Sequence, residues 1–349
     1  MIDLNDNIYN HTIARSEPKF KVWRWAGVMV TYRCSAACRF CYYCCSPDIK
    51  SPVLSVETAI SVYTSLKKLA GDAAKIHLSG GEVGVEWGRL ESILAAIKGE
   101  KLGGVEEVET NGFWAANDKI VGERIRFLDE TGVKTLKISA DPFHQEFVDI
   151  ENVRRLARMA EDILGADRVK VRWKEYMDNP VLTAGMNPQE RDRAHLASIA
   201  NFKARFTGRA AFELGPLAPQ KTVEEIAKHS CGSQFLGAKG VHIDPMGNVF
   251  SGLCSGIIIG NINQTPLDQL WKQIDWRSMG LIDILFRSGP AGMLEKADKA
   301  GFKASRYYSG SCHLCTSIRD FFYKTGNHKS IIGPAQCYAH ASGDGDAIS

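Results

Sequence analysis

No stretch of the 349 residues stays apolar for the length that a membrane span requires. Charge of one sign is also missing: 43 Lys and Arg stand against 40 Asp and Glu, a net charge of +3. That balance argues against nucleic acid or an anionic membrane as the main partner. Basic runs such as Arg154-Arg155 with Arg158 read as a solvated helix face. The opening MIDLNDNIYNHT lacks the basic-then-apolar layout of a secretory signal. Internal repeats are absent as well. The expected location is therefore the cytoplasm, where thiols stay reduced. What the chain does have is cysteine: ten in all, five of them between Cys34 and Cys45. In that compartment the cysteines point to metal binding rather than disulfides.

The length suits one large α/β domain with a smaller appendage, and 44% hydrophobic residues suffice for a full core. Short apolar runs alternate with amphipathic helices. Ala26–Tyr32 reads as a strand that runs into the cysteine loop. Val56–Ala70 reads as a helix, with Ile60, Tyr63, Leu66 and Leu69 at helical spacing. Lys75–Ser79 is the next strand, followed by Gly80-Gly81, and Trp87–Lys98 is helical. Val105–Glu109 is a strand closed by the turn Thr110-Asn111-Gly112. Then come a helix over Asp118–Thr131 with Asp118 as N-cap, a strand over Lys134–Ser139 and a helix over Asn152–Leu164. A strand over Val169–Trp173, a helix over Gln189–Asn201 and a last strand over Arg205–Phe212 complete the series.

Six such steps favour a parallel sheet with helices outside, and are too few for an eight-stranded barrel. The expected fold class is α/β, a partial (β/α)6 barrel with its working groups at the C-terminal ends of the strands. After about Gly215 the pattern changes. Gly240–Cys254 reads as a β-hairpin turning through Asp244–Gly247. The expected domains are residues 1–214 and 215–349, with a small, polar tail over 341–349 that frays.

Cys34, Cys38 and Cys41 are spaced C-x3-C-x2-C. Three thiolates suit three irons of a [4Fe–4S] cubane and leave the fourth iron open. A structural zinc site wants a fourth ligand, which Cys44 or Cys45 would supply, so zinc is the alternative. The run C34-S-A-A-C38-R-F-C41 directly after the first strand, with Gly80-Gly81-Glu82 after the second, resembles the radical S-adenosylmethionine (SAM) superfamily.

The resemblance implies a [4Fe–4S] cluster on Cys34, Cys38 and Cys41. Its open iron chelates SAM, and a 5′-deoxyadenosyl radical forms on reduction. It implies cofactor contacts by Phe40, by Gly80, Gly81 and Glu82 at the methionine end, and by Glu109 near the ribose and amino group. Ser139, Asp141 and Arg172 are implied at the ribose hydroxyls or the carboxylate. Asp141 before Pro142 also reads as a helix cap, and Glu109 and Arg172 as surface groups. His144 and Trp173 are candidate substrate contacts.

A second cysteine group follows: Cys231, Cys254, Cys312, Cys315 and Cys337, with Cys312 and Cys315 as a C-x2-C pair. Four of these thiols suit one fully ligated cluster, or zinc. Gly208-Arg209-Ala210, the hairpin between Cys231 and Cys254, and Leu270-Trp271 resemble the SPASM and shorter twitch extensions of radical SAM enzymes. The later cysteines of the full SPASM pattern are missing. The resemblance therefore implies one auxiliary [4Fe–4S] cluster on Cys231, Cys254, Cys312 and Cys315.

The function implied is a radical SAM oxidoreductase that oxidises or cross-links a peptide or protein side chain, served by an electron donor such as flavodoxin or ferredoxin. A dehydrogenase or epimerase of a small-molecule alcohol, sugar or amino acid is the alternative. An iron–sulfur electron carrier or a zinc-stabilised binding protein is the reading from another class, and neither needs Gly80-Gly81-Glu82.

Overall fold

The computed structural model describes residues 2–202, 204–252 and 254–340. The tail over 341–349 lies outside them. Five parallel strands are β1 (Trp25–Met29), β2 (Lys75–Ser79), β3 (Glu107–Thr110), β4 (Leu136–Ser139) and β5 (Val169–Arg172). Between them run α1 (Val56–Ala70), α2 (Trp87–Gly99), α3 (Asp118–Glu130) and α4 (Ile150–Leu164). Each helix but α2 starts on a side-chain cap: Ser55, Asn117 and Asp149 accept from backbone N–H groups of the first turn. Asn117, not Asp118, is therefore the cap of α3. The helix α5 (Pro188–Asn201) opens on a full capping box of Asn187 and Glu190.

The expected last strand, Arg205–Phe212, does not form; Arg209–Glu213 is a short helix, α6. Gly208 turns the chain there with φ +57°, which breaks strand geometry. A sixth parallel strand exists, but it is β6 (Gly240–Ile243), and it pairs with β1 at the opposite edge from β5. β7 (Asn248–Ser251) and β8 (Ile258–Asn261) then add antiparallel, giving the order β5-β4-β3-β2-β1-β6-β7-β8. The hairpin expected over Gly240–Cys254 thus extends the main sheet. Its turn is closed by Gly247 N–H donating to Asp244 O (3.0 Å).

Alternation along the strands sorts the two faces. Val28, Leu78, Val108, Ile138 and Val241 are fully buried on the helix-covered face. Each such side chain is worth about 1.5–3 kcal/mol. The opposite face carries Trp25, His77, Ser79, Glu107, Glu109, Lys137, Ser139, Arg172 and His242, and all of these line one cavity of 550 Å³. No helix among the described residues is long and apolar enough to cross a membrane.

Candidate functional site

The cysteine loop leaves the end of β1 and is fixed from three sides. Gly81 N–H donates to Thr31 O (2.7 Å) and Glu82 N–H to Arg33 O (2.9 Å). A Cβ on Gly80 would lie 2.6 Å from Thr31 O, and one on Gly81 would collide with the carbonyl of Arg33. These glycines thus let two backbones touch, as well as lining the cavity. Arg209, buried at the start of α6, donates to the carbonyls of Cys38 (2.9 Å), Cys44 (2.9 Å) and Cys45 (3.0 Å). Its neighbour Gly208 approaches so closely that a Cβ there would strike Tyr42 O. From the third side, Asn111 Nδ2 donates to Ser35 Oγ (3.0 Å) and lies 3.8 Å from Cys34 Sγ.

Cys34, Cys38 and Cys41 all line the cavity. Burial pushes the thiols of Cys34 and Cys38 up, reinforced for Cys34 by the carboxylate of Glu82. The Cys41 thiol is held down to about 6, chiefly by the hydrogen bond from Cys45.

Glu82 is buried, and three donors meet its carboxylate: Gly84 N–H (2.8 Å) and Thr110 Oγ1 (2.6 Å) on Oε1, Asn111 N–H (2.6 Å) on Oε2. Burial nevertheless raises its pKa above the ordinary value. The side chain joins the ends of β2 and β3 and keeps one acceptor position towards the cavity. Asp141 gives both oxygens to His144, accepting from Nδ1 (2.8 Å) and from the backbone N–H (3.2 Å). Burial opposes the imidazolium, but Asp141 outweighs it, and the His144 pKa is raised. Ser139 and His144 line the cavity. Phe40 stacks on Phe143 (5.1 Å), and the Arg172 guanidinium lies over the Phe40 and Trp173 rings. Trp173 stacks on Phe202 (4.5 Å) as part of this aromatic wall.

Glu109 stands in a row of charged groups across the sheet. His77 Nε2 lies 3.2 Å from its Oε2, and Lys137 Nζ 3.5 Å. Lys137 also reaches Glu107 Oε1 (3.4 Å). Burial would raise the Glu109 pKa, yet His77 and Lys137 hold it well below the usual carboxylate range. His242 on β6 joins the row, donating Nδ1–H to Gly252 O (2.5 Å). Burial keeps it neutral, with a pKa of about 4. Sequence patterning did not single out His77, Glu107, Lys137, His242 or the role of Arg209. The signal for the row was there: HxS, ExE, KxS and KxR at the same phase of four adjacent strands.

The second cysteine group is assembled from distant segments: Cys231 before a short helix, Cys254 after β7, and Cys312 and Cys315 on α7 (Ser311–Lys324). Burial raises the thiols of Cys231, Cys254 and Cys312, and the other sulfurs of the group add to it. Cys337 lies apart. Its sulfur is 3.5 Å from Tyr32 Oη, and its carbonyl accepts from Cys44 Sγ (3.4 Å).

The family model described as the radical SAM superfamily matches residues 28–195. Solved structures with a looser likeness include native anSMEcpe with bound AdoMet (14% identity, TM-score 0.46, 86% of this chain and 97% of that one). BtrN in complex with AdoMet and 2-DOIA is another (13%, 0.45, 85% and 93%), as is Streptococcus suis SuiB bound to the precursor peptide SuiA (12%, 0.39, 84% and 76%). No curated protein matches the chain. A radical SAM domain implies a [4Fe–4S] cluster and SAM, and the cysteine loop with its adjoining cavity fits both in donor type and in room. Residues 28–195 of this chain are thus a radical SAM domain.

Proposed function

We propose that the chain is a radical SAM oxidoreductase, with Cys34, Cys38 and Cys41 holding the SAM-binding [4Fe–4S] cluster. The observation that carries this reading is their convergence on one cavity with Gly80, Gly81, Glu82, Ser139, His144 and Arg172. Cluster and SAM together supply, when bound, a 5′-deoxyadenosyl radical that takes a hydrogen atom from a substrate. The residues of the chain bind, orient and shield. Glu82 offers its remaining acceptor position to the SAM amino group. Arg172 offers its guanidinium to a carboxylate. Asp141 occupies the Nδ1 of His144 and favours its charged ring. Phe40, Tyr42 and Tyr43 wall the cavity against water.

Cys231, Cys254, Cys312 and Cys315 are proposed to hold one auxiliary [4Fe–4S] cluster in a twitch-like unit over residues 215–349, with residues 1–214 as the radical SAM unit. Zinc on the same sulfurs is the alternative at both sites, and iron and zinc analysis of the anaerobically purified chain separates the two.

The substrate proposed is a peptide or protein side chain that is oxidised or cross-linked. Oxidation or epimerisation of a small polar molecule is the second reading, favoured by the charged row of His77, Glu107, Glu109, Lys137 and His242 on the cavity wall. The test is anaerobic incubation with SAM, a reductant and the peptides encoded beside the gene, read by mass spectrometry. Loss of two hydrogens or a new cross-link in a peptide supports the first reading. Unchanged peptides alongside an oxidised sugar or amino acid favour the second.

A further inference from the structure

Among the described residues, no carboxylate answers the buried charge of Arg319. Arg319 is 3% exposed and lies on α7 one turn beyond Cys315. Cys312, Cys315 and Arg319 therefore share a helix face. Every guanidinium nitrogen has a partner. Nε donates to Cys315 Sγ (3.3 Å), Nη1 to Ser255 O (2.8 Å) and Tyr338 Oη (3.1 Å), and Nη2 to Thr316 Oγ1 (3.0 Å) and Thr207 Oγ1 (3.4 Å). All of these partners but the sulfur are neutral. The adjacent carboxylate, Asp320, is taken by His340 (2.7 Å) and Lys324 (3.0 Å). Among the described residues no carboxylate oxygen is within ion-pair reach of Arg319. A guanidinium does not deprotonate in a protein, and a buried charge needs an opposite one.

We infer that Arg319 is a buried counter-ion of the second cysteine site, beside Arg205, and raises the reduction potential of whatever cluster that site holds. This rests on the proposed auxiliary cluster. Four thiolates around a [4Fe–4S] core are net anionic, and each added electron makes them more so. A fixed cation hydrogen-bonded to a ligating sulfur stabilises the reduced state more than the oxidised one. Arg319 acts through Cys315 and is a positioning residue. The effect suits a site that must accept an electron. The first loop has no such device: its buried arginine, Arg209, faces carbonyls and is answered by Glu213 at 3.8 Å.

The experiment uses the full chain with Cys34, Cys38 and Cys41 replaced by Ala, so that only the second site gives a signal. Iron is counted first, and the reduced cluster is then followed by EPR in a redox titration. Near-zero iron sinks the auxiliary-cluster reading and this inference with it. With about four irons bound, Arg319→Gln is expected to lower the reduced-to-oxidised ratio about tenfold at a fixed solution potential, a shift of about 59 mV for one electron. Arg319→Lys, which keeps the charge, is expected to shift it less. An Arg319→Gln cluster that is fully occupied yet titrates with the parent overturns the inference and leaves the cluster reading standing. If Arg319→Gln does not take up iron, pulsed EPR of the parent labelled with 15N-arginine decides. A 15N coupling to the reduced cluster that persists in Arg205→Gln supports the inference, and its absence there overturns it.

Discussion

The two cysteine groups are built in opposite ways. The first comes from a single loop: Cys34, Cys38 and Cys41 lie within eight residues, and their surroundings fix the backbone that carries them. Arg209 grips three carbonyls of that loop, and Gly81 and Glu82 bind it from β2. The second is gathered from three segments spread over 85 residues, and its buried arginine is aimed at a sulfur. A loop that brings its own ligands together needs a mould. A site gathered by the fold needs its charge balanced. The first group is also open to the cavity, as a site that binds a cofactor at a vacant corner must be.

The sharpest way to break the comparison is to remove one sulfur from each group. Cys38→Ala is expected to reduce 5′-deoxyadenosine formation to background and to halve the iron, from about eight to about four per chain. Cys312→Ala is expected to lose the same iron but to keep SAM cleavage. Identical cleavage in both variants contradicts the division of labour.

The mould comes next. Arg209→Gln shortens the side chain that pairs the carbonyls of Cys44 and Cys45; Cys38 O keeps the Cys41 N–H, and each of the other two left without a donor costs about 1–3 kcal/mol. Iron loss confined to the first group, with SAM cleavage falling in proportion, is the expected result; elemental analysis with EPR of both clusters checks it. Asn111→Ala removes the donor to Ser35 and the contact to Cys34, and a several-fold slower SAM cleavage at unchanged iron is expected.

The smallest effect is one of pH. Asp141 raises the His144 pKa, and His144 lowers that of Asp141. Stability from a raised histidine is whole below its unfolded value and is lost as pH rises through the folded value. Stability from a lowered carboxyl is whole above its unfolded value and is lost as pH falls through the folded one. Asp141→Asn is therefore expected to melt earlier by the equivalent of about 2 kcal/mol between roughly pH 4 and 6.5, with the gap narrowing on the alkaline side. A gap that widens above pH 8 contradicts the pairing.

Much of this was legible in the sequence. The ends of β2 and α1 fall where the residue pattern puts them, because Ser55 caps one and Gly80-Gly81 ends the other. The cysteine triplet and Gly80-Gly81-Glu82 carry their chemistry in adjacent residues. What escaped depended on contacts between distant segments. Arg205–Phe212 alternates like a strand, but Gly208 is needed in a left-handed turn against Tyr42, and the place beside β1 goes to Gly240–Ile243. Glu82 is placed by its motif, but the donors that hold it, Thr110 and Asn111, come from the end of β3. Arg319 looks like any helical arginine, since only the fold brings Ser255 and Tyr338 around it.

The most direct test of the account is anaerobic reconstitution of the wild-type chain with iron and sulfide, followed by SAM and a strong reductant. The account predicts about eight irons per chain and 5′-deoxyadenosine that appears only when Cys34, Cys38 and Cys41 are all present. Zinc in place of iron, or iron without any 5′-deoxyadenosine, contradicts it.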